Sequence, residues 1–396
     1  MRFLVGWDEP SEAELISLYL NVDGIEAILA DNSEHLLQLA GDGTQWDAVL
    51  LTTDTPDPAT AFALFKKVQQ TSPNCPIVGA CSADAVLSVA HFMTNGLRTY
   101  VIRDAAGDFM FLLRATLEST VEAVRAERER LVSEKLREEI ESVRRLQESI
   151  IPSTLHSPDG YDICARYESS QIRVMGGHPV TLAGGDYYDV FMLDDNSIVL
   201  LVGDASGHGM RACMSIMTMH TLVSMIRDRK FEDTSAFVAE INRWLCEQSI
   251  VQDEGGFITL LYAILRTDTH ELQWTSAGHP VPILQHLGEN RTEPLGTVDH
   301  GGLPLGVLAD AEYESYTSKI PPNSRLLIYT DGLEEAFPDG DDVHNEFGVK
   351  GIMKTLEATQ KNTLEDAMLQ LFAASNAFTD GAGRHDDTSV VMPDRA

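Results

Sequence analysis

From Asp108 to Ile151 the chain holds neither proline nor glycine, and Pro152 closes the stretch. A proline inside a helix removes a hydrogen bond and clashes with the preceding turn. A long run without one, ended by one, therefore predicts a single continuous helix. At 1.5 Å per residue it would be on the order of 60 Å long. A helix of that length does not fit inside one compact core, so it divides the chain into a front part, a connector and a back part. The predicted boundaries are 1–107, 108–151 and 152–396. The middle of the connector, Arg125–Arg145, is dense in charges of both signs. Leu117, Val121 and Val124 recur at 4,3 spacing, as do Leu136, Ile140 and Val143, but the phase slips between the two sets. That pattern predicts a stutter rather than an unbroken coiled coil. A solvated single helix stays open as an alternative to a parallel pair that makes a homodimer; the pair is the preferred reading.

The front part alternates short apolar runs with helical patterns. Strands are expected at Phe3–Val5, Glu26–Leu29, Ala48–Leu51, Pro76–Ala80 and Thr99–Ile102. Helices are expected at Ser11–Leu20, Ser33–Leu39, Thr60–Gln70 and Ala83–Asn95. Apolar strands alternating with helices predict a doubly wound α/β domain with a parallel sheet covered on both faces.

In the back part strands dominate. They are expected at Asp162–Tyr167, Tyr188–Leu193, Ser197–Asp204, Thr259–Arg266, Glu271–Ser276, Pro282–Gln285, Arg325–Thr330 and Thr388–Met392. Helices are expected at His208–Arg227, Asp233–Gln248 and Leu364–Phe378. Strands in runs with helices in blocks predict an α+β sandwich.

The chain has 29 Lys+Arg against 61 Asp+Glu, a net charge of −32. Such acidity argues against nucleic acid or an anionic membrane surface as partner, since both are polyanions. With 43% hydrophobic residues it can still build large cores. The five cysteines are scattered and form no C-x-x-C, which argues against a disulfide framework or a zinc site and for a reducing, cytoplasmic setting. The first residues reach Asp8 too soon for a signal-peptide core, and no apolar run approaches membrane-spanning length.

Where the acids stand matters more than how many there are. Four Asp positions of the back part share one context, a strand end beside glycine or another small residue: Asp186 in Gly184-Gly185-Asp186, Asp204 in Gly203-Asp204-Ala205, Asp331 in Thr330-Asp331-Gly332, and Asp386 in His385-Asp386-Asp387. Singly, each reads as a turn or a helix cap. Together, at neighbouring strand rims with no nearby lysine, they would repel one another unless a hard divalent cation relieved the repulsion.

These motifs, with Gly207-His208-Gly209 and Ala277-Gly278-His279-Pro280, stand in the order found in one family. The chain from Leu146 almost to its end resembles the bacterial branch of the metal-dependent PPM/PP2C protein phosphatases, the stage-II sporulation and sigma-factor-regulating type. The segment Leu146-Gln147-Glu148-Ser149-Ile150-Ile151-Pro152 is similar to that branch's helix-to-domain junction. The resemblance implies two bound Mn²⁺ or Mg²⁺ ions, with Asp204 bridging both. It gives Asp331 and Asp386 to one ion and Asp186 to the other, with the Ala205 carbonyl joining one of them and Asp387 a lesser candidate ligand. Asp204 and Asp186 are then the central catalytic acids. The implied reaction is hydrolysis of phosphoserine or phosphothreonine in a protein by a water held between the ions.

Some positions depart from the wider family. His208 and His279 read as structural rather than ligating, and Asp189 as orienting its strand or a water. Leu182 stands where eukaryotic relatives place a phosphate-binding arginine, Arg211 is an unsupported substitute, and Ser389 replaces the usual threonine. Residues 170–183 read as an inserted loop.

The front part resembles a response-regulator receiver that has lost its switch. Asp8 and Glu9 keep part of the acid pocket, but Trp7 replaces one acid. Thr52 stands where the phosphate-accepting Asp is expected, with Asp54 as the competing register, Cys81 is near the usual Thr/Ser, and Arg103 takes the lysine position. A hydroxyl cannot form an acyl phosphate, so the resemblance implies a pseudo-receiver that gates the phosphatase through the connector. The expected substrate is a phosphorylated anti-sigma-factor antagonist or similar protein. The rival expectation is a non-catalytic adaptor that binds a sigma factor or its regulator.

Overall fold

The computed structural model describes residues 1–104, 107–152, 154–172, 180–181, 184–207, 209–229, 231, 233–247, 256–338, 345–380 and 386–396. Leu182, His208 and most of the loop 170–183 lie outside the described residues. The chain divides into two compact units, Met1–Leu136 and Arg137–Ala396.

The first unit holds five strands, β1 (Arg2–Gly6), β2 (Glu26–Ala30), β3 (Ala48–Thr52), β4 (Ile77–Ser82) and β5 (Thr99–Arg103). They form one parallel sheet in the order β2-β1-β3-β4-β5. The central strands β1, β3 and β4 are mostly apolar because both faces are covered, while the outer strands β2 and β5 keep exposed positions. Helices α1 (Pro10–Leu20) and α5 (Phe109–Ile150) supply Ile16, Leu20, Phe109, Leu113, Leu117 and Val121 to one face. Helices α2 (Ser33–Gly41), α3 (Pro58–Thr71) and α4 (Val86–Met93) cover the other with Leu36, Phe65, Val68 and Phe92. Asn32 and Asp57 start α2 and α3 by accepting hydrogen bonds from the free amides of each first turn. The sequence reading ended the front part at residue 107, whereas the first turns of α5 are buried in this unit's core. Leu117 and Val121, two of the six residues of the apparent coiled-coil seam, face that core, while Leu131, Val132 and Leu136 beyond them are exposed.

The second unit is a sandwich of two antiparallel sheets. Its strands are β6 (Tyr161–Glu168), β7 (Gln171–Ile172), β8 (Val180–Thr181), β9 (Asp186–Asp194), β10 (Ser197–Ala205), β11 (Ile258–Arg266), β12 (Glu271–Ala277), β13 (Ile283–His286), β14 (Arg291–Pro294), β15 (Tyr316–Lys319), β16 (Ser324–Tyr329) and β17 (Thr388–Arg395). One sheet runs β15-β12-β11-β10-β9 and the other β14-β13-β16-β17-β6, with β7 and β8 a separate pair. Side chains alternate faces along a strand, and β10 shows what that does here. Ile198, Leu200 and Val202 enter the core between the sheets. Val199 and Leu201 enter a second core under α6 (Met210–Ile226) and α7 (Thr234–Cys246). On the far sheet Ile328 and Val391 face inward, while Tyr329 and Val390 pack under α8 (Gly348–Ala358) and α9 (Leu364–Phe378). The unit is thus four layers, helix–sheet–sheet–helix. β14, β15 and α8 were not anticipated; β14 and β15 are four-residue edge strands with exposed positions.

Candidate active site

The antiparallel register places Asp204, next to last in β10, directly opposite Asp186, first in β9. The second sheet brings Thr330 and Asp331 just past the end of β16, and Asp386 and Asp387 just before β17. Strand ends of both sheets therefore deliver the predicted acids to one rim. Thr330 ties the sheets together: its hydroxyl donates to Asp186 Oδ2 at 2.7 Å and accepts from the Ser389 amide at 2.8 Å.

The approach is close enough to explain the glycines. A Cβ on residue 185 would lie 2.7 Å from the Ala205 carbonyl oxygen, and one on residue 332 would lie 1.9 Å from the Asp387 carbonyl oxygen. Both motifs need glycine because backbone passes backbone there.

The acids are buried: Asp186 is 1% exposed and Asp204 7%. Burial, then the charges of Asp186, Asp331 and Asp386, push the Asp204 carboxyl up to about 11. Asp186 is raised well above the carboxylate range by burial and by Asp387, partly offset by the Thr330 hydrogen bond. Burial also raises Asp331. The charges that act most strongly on Asp186 and Asp204 are all carboxylates. Such a donor set, all oxygen and mutually repelling, fits a hard divalent cation. Among the described residues no three His, Cys, Asp or Glu side chains are drawn into a closed metal-holding group.

Asp387 plays a different part from the other acids. Its Oδ2 accepts from Gly185 N at 2.6 Å and its Oδ1 from Ser170 N at 2.7 Å, with the Tyr167 hydroxyl 3.5 Å away. Both oxygens hold backbone. Asp189 accepts from the Tyr187 hydroxyl at 2.9 Å, and that hydroxyl also meets His220 Nδ1 at 2.8 Å. His279 is buried, bonds Thr259 through Nδ1 at 2.9 Å, and is pushed down to about 3 by burial, so it is a neutral structural group. Arg211 lies on the first turn of α6. Gln147, in the last turns of α5, was quoted in the junction segment without a role. It is fully buried and bonds the turn that carries Asp186.

In the first unit two of the predicted pseudo-site residues, Asp8 and Arg103, meet at strand ends. Arg103 donates to Asp8 at 3.0 Å and to Glu12 at 2.9 Å, and its guanidinium lies 4.8 Å over the Trp7 ring. Trp7 donates to Glu12 at 2.9 Å and stacks on Phe109. Glu9 is exposed and precedes α1, accepting from Ser11. Thr52 ends β3, and Asp54 accepts from the Ser82 amide at 2.8 Å. The acid that the sequence reading overlooked is Glu12. It lies one helical turn beyond Asp8 and takes up the other side of Arg103.

The family model for stage II sporulation protein E (SpoIIE) matches residues 194–395, just over half of the chain. The chain belongs to the SpoIIE family. The matched segment carries Asp204, Asp331 and Asp386 and begins after Asp186. Among curated relatives, protein IcfG of Synechocystis sp. is 24% identical over 280 residues, 64% of this chain and 41% of that protein. Phosphoserine phosphatase RsbU of Bacillus subtilis is 24% identical over 204 residues, 52% of this chain and 56% of that one. The chain thus spans about half the length of the curated relatives it matches. The SiaA-PP2C domain of Pseudomonas aeruginosa superposes with a TM-score of 0.53 at 15% identity, covering 67% of this SpoIIE-family chain and 98% of the domain. The RsbU and RsbW domains of Rv1364c from Mycobacterium tuberculosis give 0.50 at 20% identity, covering 62% and 63%. At these identities the likeness is one of fold. Among the described residues no helix is long and apolar enough to cross a membrane.

Proposed function

We propose that the chain is a metal-dependent serine/threonine phosphoprotein phosphatase. The observation that carries this reading is the set of buried carboxylates around Asp204, whose strongest electrostatic neighbours are other carboxylates. Asp204 would bridge two ions, with Asp331 and Asp386 completing one site, Asp186 holding the other and the Ala205 carbonyl joining one of them. Bound Mn²⁺ or Mg²⁺ would supply an acidified water and a positive clamp for phosphoryl oxygens. Thr330 keeps Asp186 pointed inward through its 2.7 Å hydrogen bond. Asp387, engaged by two amides, holds the Gly185 turn, and we leave it out of the ligand set. Elsewhere a chain of net charge −32 repels a phosphorylated partner, so docking would be favoured only where cations reverse the local sign.

The substrate in this reading is a protein carrying phosphoserine or phosphothreonine, of the anti-sigma-factor-antagonist kind; the similarity to a protein named phosphoserine phosphatase supports the phosphoserine part of it. Division into a pseudo-receiver (1–107), connector (108–151) and phosphatase domain (152–396) belongs to the same reading. Arg103 already neutralises Asp8 and Glu12, so a partner protein or a change in pairing, rather than phosphorylation, would set the front unit. Exposed Leu131, Val132 and Leu136 on α5 favour a homodimer through the connector.

The test is hydrolysis of a phosphoprotein or a chromogenic phosphate ester with Mn²⁺ and with EDTA. Turnover is expected only with metal, and Asp204→Ala should be inactive. The rival reading is a non-catalytic adaptor that binds a sigma factor or its regulator. Absence of turnover with either ion, or equal turnover in wild type and Asp204→Ala, would favour it.

A further inference from the structure

Between Arg125 and Ile150 helix α5 is charged and largely solvated, and Gln147 alone is fully buried. An amide side chain has donors and acceptors, and burial is unfavourable unless they are met. Here the backbone of the Gly-Gly-Asp turn meets them. Gln147 Oε1 accepts from Gly184 N at 2.6 Å, and Nε2 donates to the Asp186 carbonyl at 3.3 Å and to the Tyr167 hydroxyl at 3.4 Å. Asp387 takes the intervening amide of Gly185. The turn that presents Asp186 is therefore gripped residue by residue, by the end of α5 on one side and the lead-in to β17 on the other.

We propose that Gln147 is a positioning residue: it holds the Gly184–Asp186 turn and so sets the affinity of the site for its metal. The proposal rests on the metal-dependent reading and adds the residue through which the connector reaches the site. Gln147 acts through the main chain of Gly184 and Asp186, not on the ligating atoms. Its neighbours Leu146 and Glu148 are exposed. Turning the helix by one residue, about 100°, would offer one of them to the same slot. Leucine has no polar atom to give. Glutamate has no donor for the Asp186 carbonyl and adds a negative charge beside other carboxylates. The slot thus distinguishes one setting of the helix from the settings on either side of it.

The test uses the full-length protein and the variants Gln147→Met and Gln147→Glu. Mn²⁺ binding is measured by titration calorimetry, and amide hydrogen exchange across residues 184–187 is measured in EDTA. Gln147→Met keeps the length and removes all three bonds. It should weaken Mn²⁺ binding about 10–100-fold, the usual effect of losing a group that supports a ligand, and speed exchange at Gly184 while β11 stays protected. Gln147→Glu keeps the acceptor and should leave Gly184 protected. Unchanged Mn²⁺ affinity and exchange in Gln147→Met would overturn the proposal. So would equal loss of protection at Gly184 in both variants, the mark of general core damage. If Gln147→Met fails to fold, lost protection at Gly184 in Gln147→Glu overturns it alone. A wild-type protein that binds no Mn²⁺ would refute the metal-dependent reading, while exchange at Gly184 would still report whether Gln147 holds the turn.

Discussion

Thr330 and Asp186 belong to different sheets and lie 144 residues apart in the chain, yet their side chains share a 2.7 Å hydrogen bond. The bond fixes one carboxylate oxygen and leaves the other to point into the acid cluster. Thr330→Val keeps the shape and removes the hydroxyl, which also strands the Ser389 amide. We expect Mn²⁺ affinity to fall about 10-fold or more, with a loss of stability of roughly 1–3 kcal/mol from the unsatisfied buried amide. Calorimetric titration and thermal melting measure the two effects separately.

The acid cluster makes the metal-free protein sensitive to pH in an unusual direction. Asp186, Asp204 and Asp331 are all raised when folded. The folded state therefore keeps protons that the unfolded chain releases above about pH 4. Stability then falls as pH rises. In EDTA the melting temperature of the second unit should drop between about pH 5 and pH 8, and excess Mn²⁺ should remove the drop. Asp204→Asn should melt higher than wild type in EDTA, by about 2–4 °C per kcal/mol of repulsion relieved, and should lose the Mn²⁺ response. A melting temperature in EDTA that climbs steadily with pH would contradict the cluster.

Gly332 faces the Asp387 carbonyl oxygen so closely that a Cβ would fall 1.9 Å from it. Gly332→Ala must push β17 away from the end of β16. A loss of at least roughly 1–3 kcal/mol is expected, in line with overpacked sites. Denaturant unfolding checks it, and an unchanged midpoint would mean the two segments part easily.

Arg103 serves two acids and one ring. Arg103→Ala leaves Asp8 and Glu12 facing each other and uncovers Trp7. The first unit should lose about 1.5–3 kcal/mol, the range for hydrogen bonds to charged groups, and tryptophan emission should shift. Arg103→Lys should recover only part, since an ammonium cannot span both acids as a planar fork does. Incubation with acetyl phosphate should leave Asp54 unlabelled; a hydroxylamine-labile phosphate there would refute the pseudo-receiver.

Much of this was legible because β10, β11 and the central front strands are buried on both faces, and continuous apolar runs announce such strands. Edge strands β14 and β15 carry half-exposed residues and gave no such signal. The acids could be found from their glycines, since close backbone approach leaves a mark in the sequence. Gln147 could not be found that way. An amide among charged helical residues looks solvated, and only its partners 37 and 39 residues further on show otherwise. Asp387 reads in the sequence as a lesser candidate ligand beside Asp386, and the amides that its oxygens accept from are ones that folding alone brings near. The split of the connector was hidden for a similar reason. Leu117 and Val121 have the spacing of a seam, but the surface they meet is the sheet of their own unit.

The two acid clusters differ in where their positive charge comes from. In the first unit it is Arg103, a covalent part of the chain whose local concentration no chelator, ion pump or dilution can change. In the second it would come from solution. A change in free divalent ions would therefore be felt by one half of the protein and ignored by the other.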